Sequence, residues 1–181
     1  EGADLLEPCM ATRSNIGRII LQNVNETLTQ FDVKTGKGVQ PRLAESWTDQ
    51  GNATWRFHLR KGVKFHSGNP FTAKDVAWTL DRLKKSPDFK GLFIKFAEPK
   101  VIDDNTIDII TTEPYGLVMN LATYIFPMDS KFYTGTDAKG QPKDAIVKSG
   151  YSFANDNASG TGPYSVAERE QGVKLILKAN K

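Results

Sequence analysis

The residues of this 181-residue chain best suited to chemistry are two histidines, one cysteine, an Asp-Asp pair and a glycine-rich segment. His58 and His66 lie in a strand-like stretch with no cysteine and no cluster of carboxylates beside them. A zinc centre needs three or four converging ligands, so both are expected to be exposed strand histidines. Asp103 and Asp104 would have to converge to act as acid and base, yet adjacent residues point different ways. Asp103-Asp104-Asn105 has instead the composition of a turn. Gly160-Thr161-Gly162-Pro163 lacks the Gly-Lys-Ser/Thr ending of a phosphate loop, and Pro163 removes an amide that would face phosphate. Cys9 is the only cysteine, so it forms no internal disulfide and fits no zinc spacing. The Leu6-Glu7-Pro8 before it lacks the small residues of a lipoprotein cleavage site, which argues against a lipid anchor. No serine sits in a nucleophile elbow. Trp47, Trp55 and Trp78 have the rings for a stacking platform, but each lies in a pattern that places it in a core. The expectation is no catalytic residue, no metal and no cofactor.

Composition narrows the class further. Hydrophobic residues make up 39% and charged residues 25%, ordinary values for a water-soluble globular chain. The formal net charge of +3 is small and its lysines and arginines are scattered, so a nucleic-acid partner is not expected. No run approaches the ~20 apolar residues of a membrane helix. No charged-then-apolar leader opens the chain, so any signal peptide is expected to be missing from it.

The elements that must position side chains follow from periodicity. Ile16, Ile19, Ile20 and Val24 recur at helical spacing between Ser14 and Leu28, with Ser14 able to cap the start. Thr29 to Val33 reads as a short strand, and Lys34 to Gly38 as a glycine-bearing turn. In Thr54 to Arg60 the apolar residues Trp55, Phe57 and Leu59 alternate with polar ones, the signature of a half-buried strand. Lys61-Gly62 turns the chain, and Val63 and Phe65 continue the alternation, which predicts a hairpin. Thr72 begins a helix through a capping box with Asp75. Its apolar stripe is Val76, Ala77, Leu80 and Leu83, Asp81 and Lys85 pair on the wet side, and Ser86-Pro87 ends it. Two strands are expected around the Asp103 turn, at Lys100 to Ile102 and Thr106 to Ile110. A short helix should span Leu117 to Thr123, followed by a buried extended piece from Tyr124 to Pro127. Thr134 to Gly162 should be mostly surface loop with one helical segment near Asp144 to Lys148. Two strands, Tyr164 to Ala167 and Val173 to Leu177, close the chain. The order is mixed rather than a βαβ alternation, so the fold class is mixed α/β, of the α+β kind.

Several motifs in order carry a resemblance. Leu43-Ala44-Glu45-Ser46-Trp47 is followed by TWRFHLRKGVKFHSGNPFTAKDVAWTLDRL from Thr54 to Leu83. Then come VIDDNTIDIITTEPYGLVMNLA, and the GTGPY of Gly160 to Tyr164. The chain resembles the family 5 extracellular solute-binding proteins of bacterial ABC importers, over nearly its whole length. The resemblance implies a periplasmic binding protein-like fold in which this chain is the first lobe of a two-lobed clamp. Residues 1–42 and 160–181 would belong to the main sheet subdomain and 43–159 to a small hairpin-plus-helix subdomain, with the second lobe outside this chain.

It further implies a monomeric, periplasmic binding protein rather than an enzyme. Such a protein captures a peptide, opine, metal chelate or similar small solute and delivers it to the membrane permease of an ABC importer. The alternative is the solute-sensing module of a regulator built on the same scaffold. Mapped by position onto this sequence, the ligand contacts implied for the first lobe are Glu7, Cys9, Met10 and Arg13 in the loop after the first strand, and Thr123 and Tyr124 after the Pro-Tyr helix; Phe93, in the loop after the capped helix, is a further candidate. Arg13 can pair a carboxylate or phosphate, and Met10 and Tyr124 can supply adaptable apolar and aromatic contact. The competing reading makes Met10 and Tyr124 core and Arg13 a surface residue ahead of the helix. Leu6-Glu7-Pro8 stands where the family often has Leu-Asp-Pro, and His66-Ser67-Gly68 where it often has His-Asp-Gly. The first departure leaves the solute class open.

Overall fold

A computed structural model describes residues 5–11, 15–148 and 150–181. The chain begins with helix α1 (Asn15–Val24), then the short strands β1 (Thr29–Phe31) and β2 (Val39–Pro41). Strands β3 (Ala44–Gly51) and β4 (Thr54–Leu59) follow, then helices α2 (Ala73–Lys85) and α3 (Lys90–Phe93). After β5 (Lys100–Asp103) and β6 (Thr106–Ile110) come α4 (Val118–Leu121), a 3-10 turn (Ala122–Tyr124) and α5 (Phe153–Asp156). The last elements are β7 (Tyr164–Glu170) and β8 (Lys174–Ala179). The architecture is the expected mixed α/β.

A four-stranded antiparallel sheet in the order β3-β4-β6-β5 forms the centre. Two-stranded ribbons, β1-β2 and β7-β8, stand apart from it. The alternation read in Thr54 to Arg60 does what period two requires, burying Phe57 and Leu59 and leaving His58 exposed. Ile107 and Ile109 of β6 join them, and Val76, Leu80 and Leu83 of α2 close over the same apolar cluster. On the other face Arg56 reaches across to its β6 neighbour Asp108 in a two-pronged bond at 2.8 and 3.0 Å. The capping box is in place at the start of α2, where the Thr72 amide donates to the Asp75 carboxylate at 2.9 Å. Asp81 and Lys85 pair at 2.6 Å on its wet side. Among the described residues no helix is long and apolar enough to cross a membrane.

Two expectations need correction, and one strand was not expected. Val63 and Phe65 form no strand; the partners of β4 are β3 and β6. Residues 63–71 make a compact turn, with the Phe71 amide on the Val63 carbonyl at 2.9 Å and the rings of Phe65 and Phe71 packed edge-on at 5.8 Å. Their apolar alternation reflects burial inside that turn. The true hairpin joins β3 to β4 through Asn52-Ala53, whose φ values of 49° and 55° fit a type I′ turn. No sequence pattern marks β3 because it is a sheet edge: Glu45, Ser46, Thr48, Asp49 and Gln50 are exposed, and only the buried Ala44 and half-buried Trp47 interrupt the polarity. Asp144 to Lys148 is not helical either. The Asp144 and Ala145 carbonyls instead accept from the Arg82 guanidinium at 3.0 and 3.2 Å, which draws them away from a helical ladder. The helix of this region is α5, and its N-cap Ser152 accepts from the Asn155 amide.

Candidate ligand-binding site

The loop from Glu7 to Ala11 is fixed by side chains far away in sequence. Both oxygens of Glu7 receive the Arg82 guanidinium, at 2.5 and 2.6 Å, and Oε1 also accepts the Cys9 amide at 2.9 Å. Both partners are buried, with side-chain exposures of 0% for Glu7 and 4% for Arg82. Burial alone would pull the Arg82 guanidinium down, but the hydrogen bonds and charge of Glu7 outweigh it and hold Arg82 above its ordinary value. Ser86 donates to the Cys9 carbonyl at 2.5 Å, and the Ala11 amide donates to Asp88 at 3.0 Å.

This loop forms one wall of a cavity of about 250 Å³. Pro8, Met10 and Ala11 come from the loop, Arg18 and Leu21 from α1. Thr123, Tyr124 and Phe126 form the facing wall, and Phe31 and Phe89 complete an apolar, aromatic lining. Arg18 adds a cationic group, and Gln22 and Thr123 add polar ones, to a lining that otherwise suits apolar contact.

Of the positions implied by the resemblance, the fold thus brings together Met10, Thr123 and Tyr124, with Tyr124 46% exposed to solvent. The expectation of a buried piece from Tyr124 to Pro127 fails at that residue, which is exposed while it lines the cavity. Glu7, Cys9 and Phe93 do not line the cavity. Glu7 is held by Arg82, Cys9 is fully buried against Met128, with its sulfur 3.5 Å from Sδ, and Phe93 packs on Phe96 in the core. Arg13 lies outside the described residues. Arg18, Phe31, Phe89 and Phe126 were not anticipated. Phe31 is 48% exposed at the end of β1, and nothing in its local sequence marks it as a cavity residue.

His66 is not a strand histidine. It is half-buried and its ring bridges the Gly160 to Gly162 segment. The Gly160 amide donates to Nδ1 at 3.2 Å, so Nε2 carries the proton and donates to the Gly162 carbonyl at 2.8 Å. His58 is exposed on β4 as expected. Among the described residues no group of three or more His, Cys, Asp or Glu is placed to hold a metal ion.

Comparison with known proteins agrees with this architecture. The family model described as bacterial extracellular solute-binding proteins, family 5 Middle, matches residues 38–181. The chain belongs to that family. This family 5 chain is 32% identical to di/tripeptide-binding protein 1 of Pseudomonas aeruginosa, over 88% of its own length and 32% of the relative's. Among solved structures, the Helicobacter pylori binding protein DppA in complex with the peptide STSA superposes with a TM-score of 0.74 at 26% identity. That match covers 99% of this chain and 38% of the other. NikZ of Campylobacter jejuni, solved with Ni(L-His), has a TM-score of 0.77 at 22% identity, covers 99% of this chain and 34% of its own, and shares the fold. The chain spans about a third of the length of the curated relatives it matches.

Proposed function

We propose that this chain is the first lobe of an extracytoplasmic, periplasmic solute-binding protein that delivers its solute to the permease of an ABC importer. The cavity walled by Met10, Thr123 and Tyr124 is its share of the solute site. The observation that carries this reading is the convergence of two segments more than a hundred residues apart on one apolar cavity with an arginine in its lining, within a family 5 fold. The peptide-binding relatives favour a short peptide as the solute. In this reading the protein binds without turning its solute over. The division of residues 1–42 and 160–181 from the hairpin-plus-helix subdomain at 43–159 is supported by the two ribbons forming sheets of their own, distinct from the central one.

The lobe leaves Tyr124 open to water, whereas small-molecule sites bury ~70–90% of their ligand. A second lobe therefore closes the site. Calorimetry with dipeptides, tripeptides, an opine and Ni(L-His) tests this on the protein in its full natural length. The expected result is binding of a short peptide, weakened at least tenfold by Tyr124→Ala and by restricting the protein to this 181-residue chain. Binding that is indifferent to both changes, or no binding by any of these solutes, overturns the reading.

A further inference from the structure

Helix α2 carries a buried polar stripe that the apolar pattern of the helix conceals. Asp75, Thr79, Arg82 and Ser86 are spaced four, three and four residues apart, which places them along one face. Their exposures are 5%, 1%, 4% and 0%. Each holds a different point of the two walls just described. Asp75 accepts from the Ser130 amide at 3.0 Å and from its hydroxyl at 2.6 Å. Thr79 donates to the Asp75 carbonyl and accepts the Met128 amide, both at 2.8 Å. Arg82 holds Glu7, and Ser86 holds the Cys9 carbonyl. The N-terminal half of the stripe thus fastens the segment that follows Thr123, Tyr124 and Phe126. The C-terminal half fastens the loop that presents Pro8, Met10 and Ala11. None of the four lines the cavity.

We propose that this stripe sets the spacing between the two walls and that its members are positioning residues for solute capture, a role that rests on the cavity being the solute site. Apolar packing alone tolerates sliding, because dispersion is non-directional. Hydrogen bonds have fixed lengths and angles, and a buried donor or acceptor that loses its partner is penalised. Four residues so bonded, three on one rigid helix and the fourth at its C-cap, give the walls a single register. Cys9 of the loop and Met128 of the opposite segment also touch directly, their sulfurs 3.5 Å apart, and the Arg82 guanidinium reaches the same Met128 sulfur at 3.4 Å.

Thr79→Val keeps the side-chain shape but removes the acceptor for the Met128 amide, and Thr79→Ser restores it. Amide hydrogen exchange is followed on the protein in its full natural length, together with calorimetric titration of Ala-Phe and Ala-Ala-Phe. Thr79→Val is expected to speed exchange at least tenfold in residues 123–129, to leave β4 and β6 unchanged, and to weaken the better peptide at least tenfold. Thr79→Ser is expected to restore both. Ser86→Ala is expected to do the same to the loop carrying Met10, and serves if Thr79→Val does not fold. Unchanged exchange in the wall segments, or exchange raised equally throughout, overturns the proposal. So does faster wall exchange with unaltered peptide affinity. If the unsubstituted protein binds neither peptide, the affinity comparison uses whichever of the solutes named above it does bind; if it binds none of them, the solute reading falls and the positioning role with it. The exchange comparison then separately decides whether the stripe holds the walls.

Discussion

Burying a charge costs several kcal/mol unless a partner and further hydrogen bonds come with it, and Glu7 and Arg82 supply both to each other. Removing one partner is worse than removing both. Arg82→Leu is expected to lower stability by about 3–5 kcal/mol in chemical denaturation. Glu7→Leu combined with Arg82→Leu is expected to cost less than the sum of the single changes. Cys9 lies in the same layer. Burial first, and then the charge of Glu7, push its thiol up to about 12 from 9.0. The folded chain keeps the proton at pH values where the unfolded chain has lost it, so the unfolded state binds fewer protons and unfolding releases one. The thiol's contribution to stability is therefore full below about pH 9 and fades as the pH climbs towards about 12. Burial pushes the Tyr133 hydroxyl up as well, in the same direction. Iodoacetamide at pH 8 is expected to label Cys9 only after denaturant is added; labelling of the folded protein at the unfolded rate would contradict this. Met10, Thr123 and Tyr124 were reachable from the sequence through family position. The role of Arg82 was not, because nothing local marks a last-turn arginine as the partner of a glutamate 75 residues earlier.

At the level of elements, close approach of backbones explains what a glycine-rich motif is for. A Cβ on Gly160 would stand 2.1 Å from the Val24 carbonyl oxygen, and one on Gly162 would stand 2.3 Å from that of Asn23. The segment lies directly on the C-terminal end of α1, and the Gly162 amide donates to the Val24 carbonyl at 3.0 Å. Gly162→Ala is expected to destabilise by about 1–3 kcal/mol, as overpacking does. Gly91→Ala in α3, where nothing lies within 4 Å, should be neutral or slightly stabilising by thermal melting. Equal melting temperatures for the two variants would contradict the contact. Helix α2 was legible to the residue because its capping box, its apolar period and its terminating Ser-Pro all agree. β3 failed that test. It is an edge strand with polar residues on both faces, so its existence depends on pairing with β4 and not on any pattern of its own. The apolar alternation after Lys61 misled for the opposite reason, since a tight turn can bury residues at the same period as a strand.

Over the whole molecule, the central sheet consists of two local hairpins, β3-β4 and β5-β6, joined along β4 and β6. Each hairpin can zip from its own turn in isolation. Their junction cannot, for it encloses the chain from 60 to 105, which includes all of α2. Closing that loop loses chain entropy before any contact across the junction compensates. Assembly speed should therefore be governed at this seam. Ile107→Val, in the seam and fully buried, is expected to slow refolding in stopped-flow measurements in proportion to the stability it removes. If it only hastened unfolding, the two halves of the sheet would be meeting after the barrier and not at it.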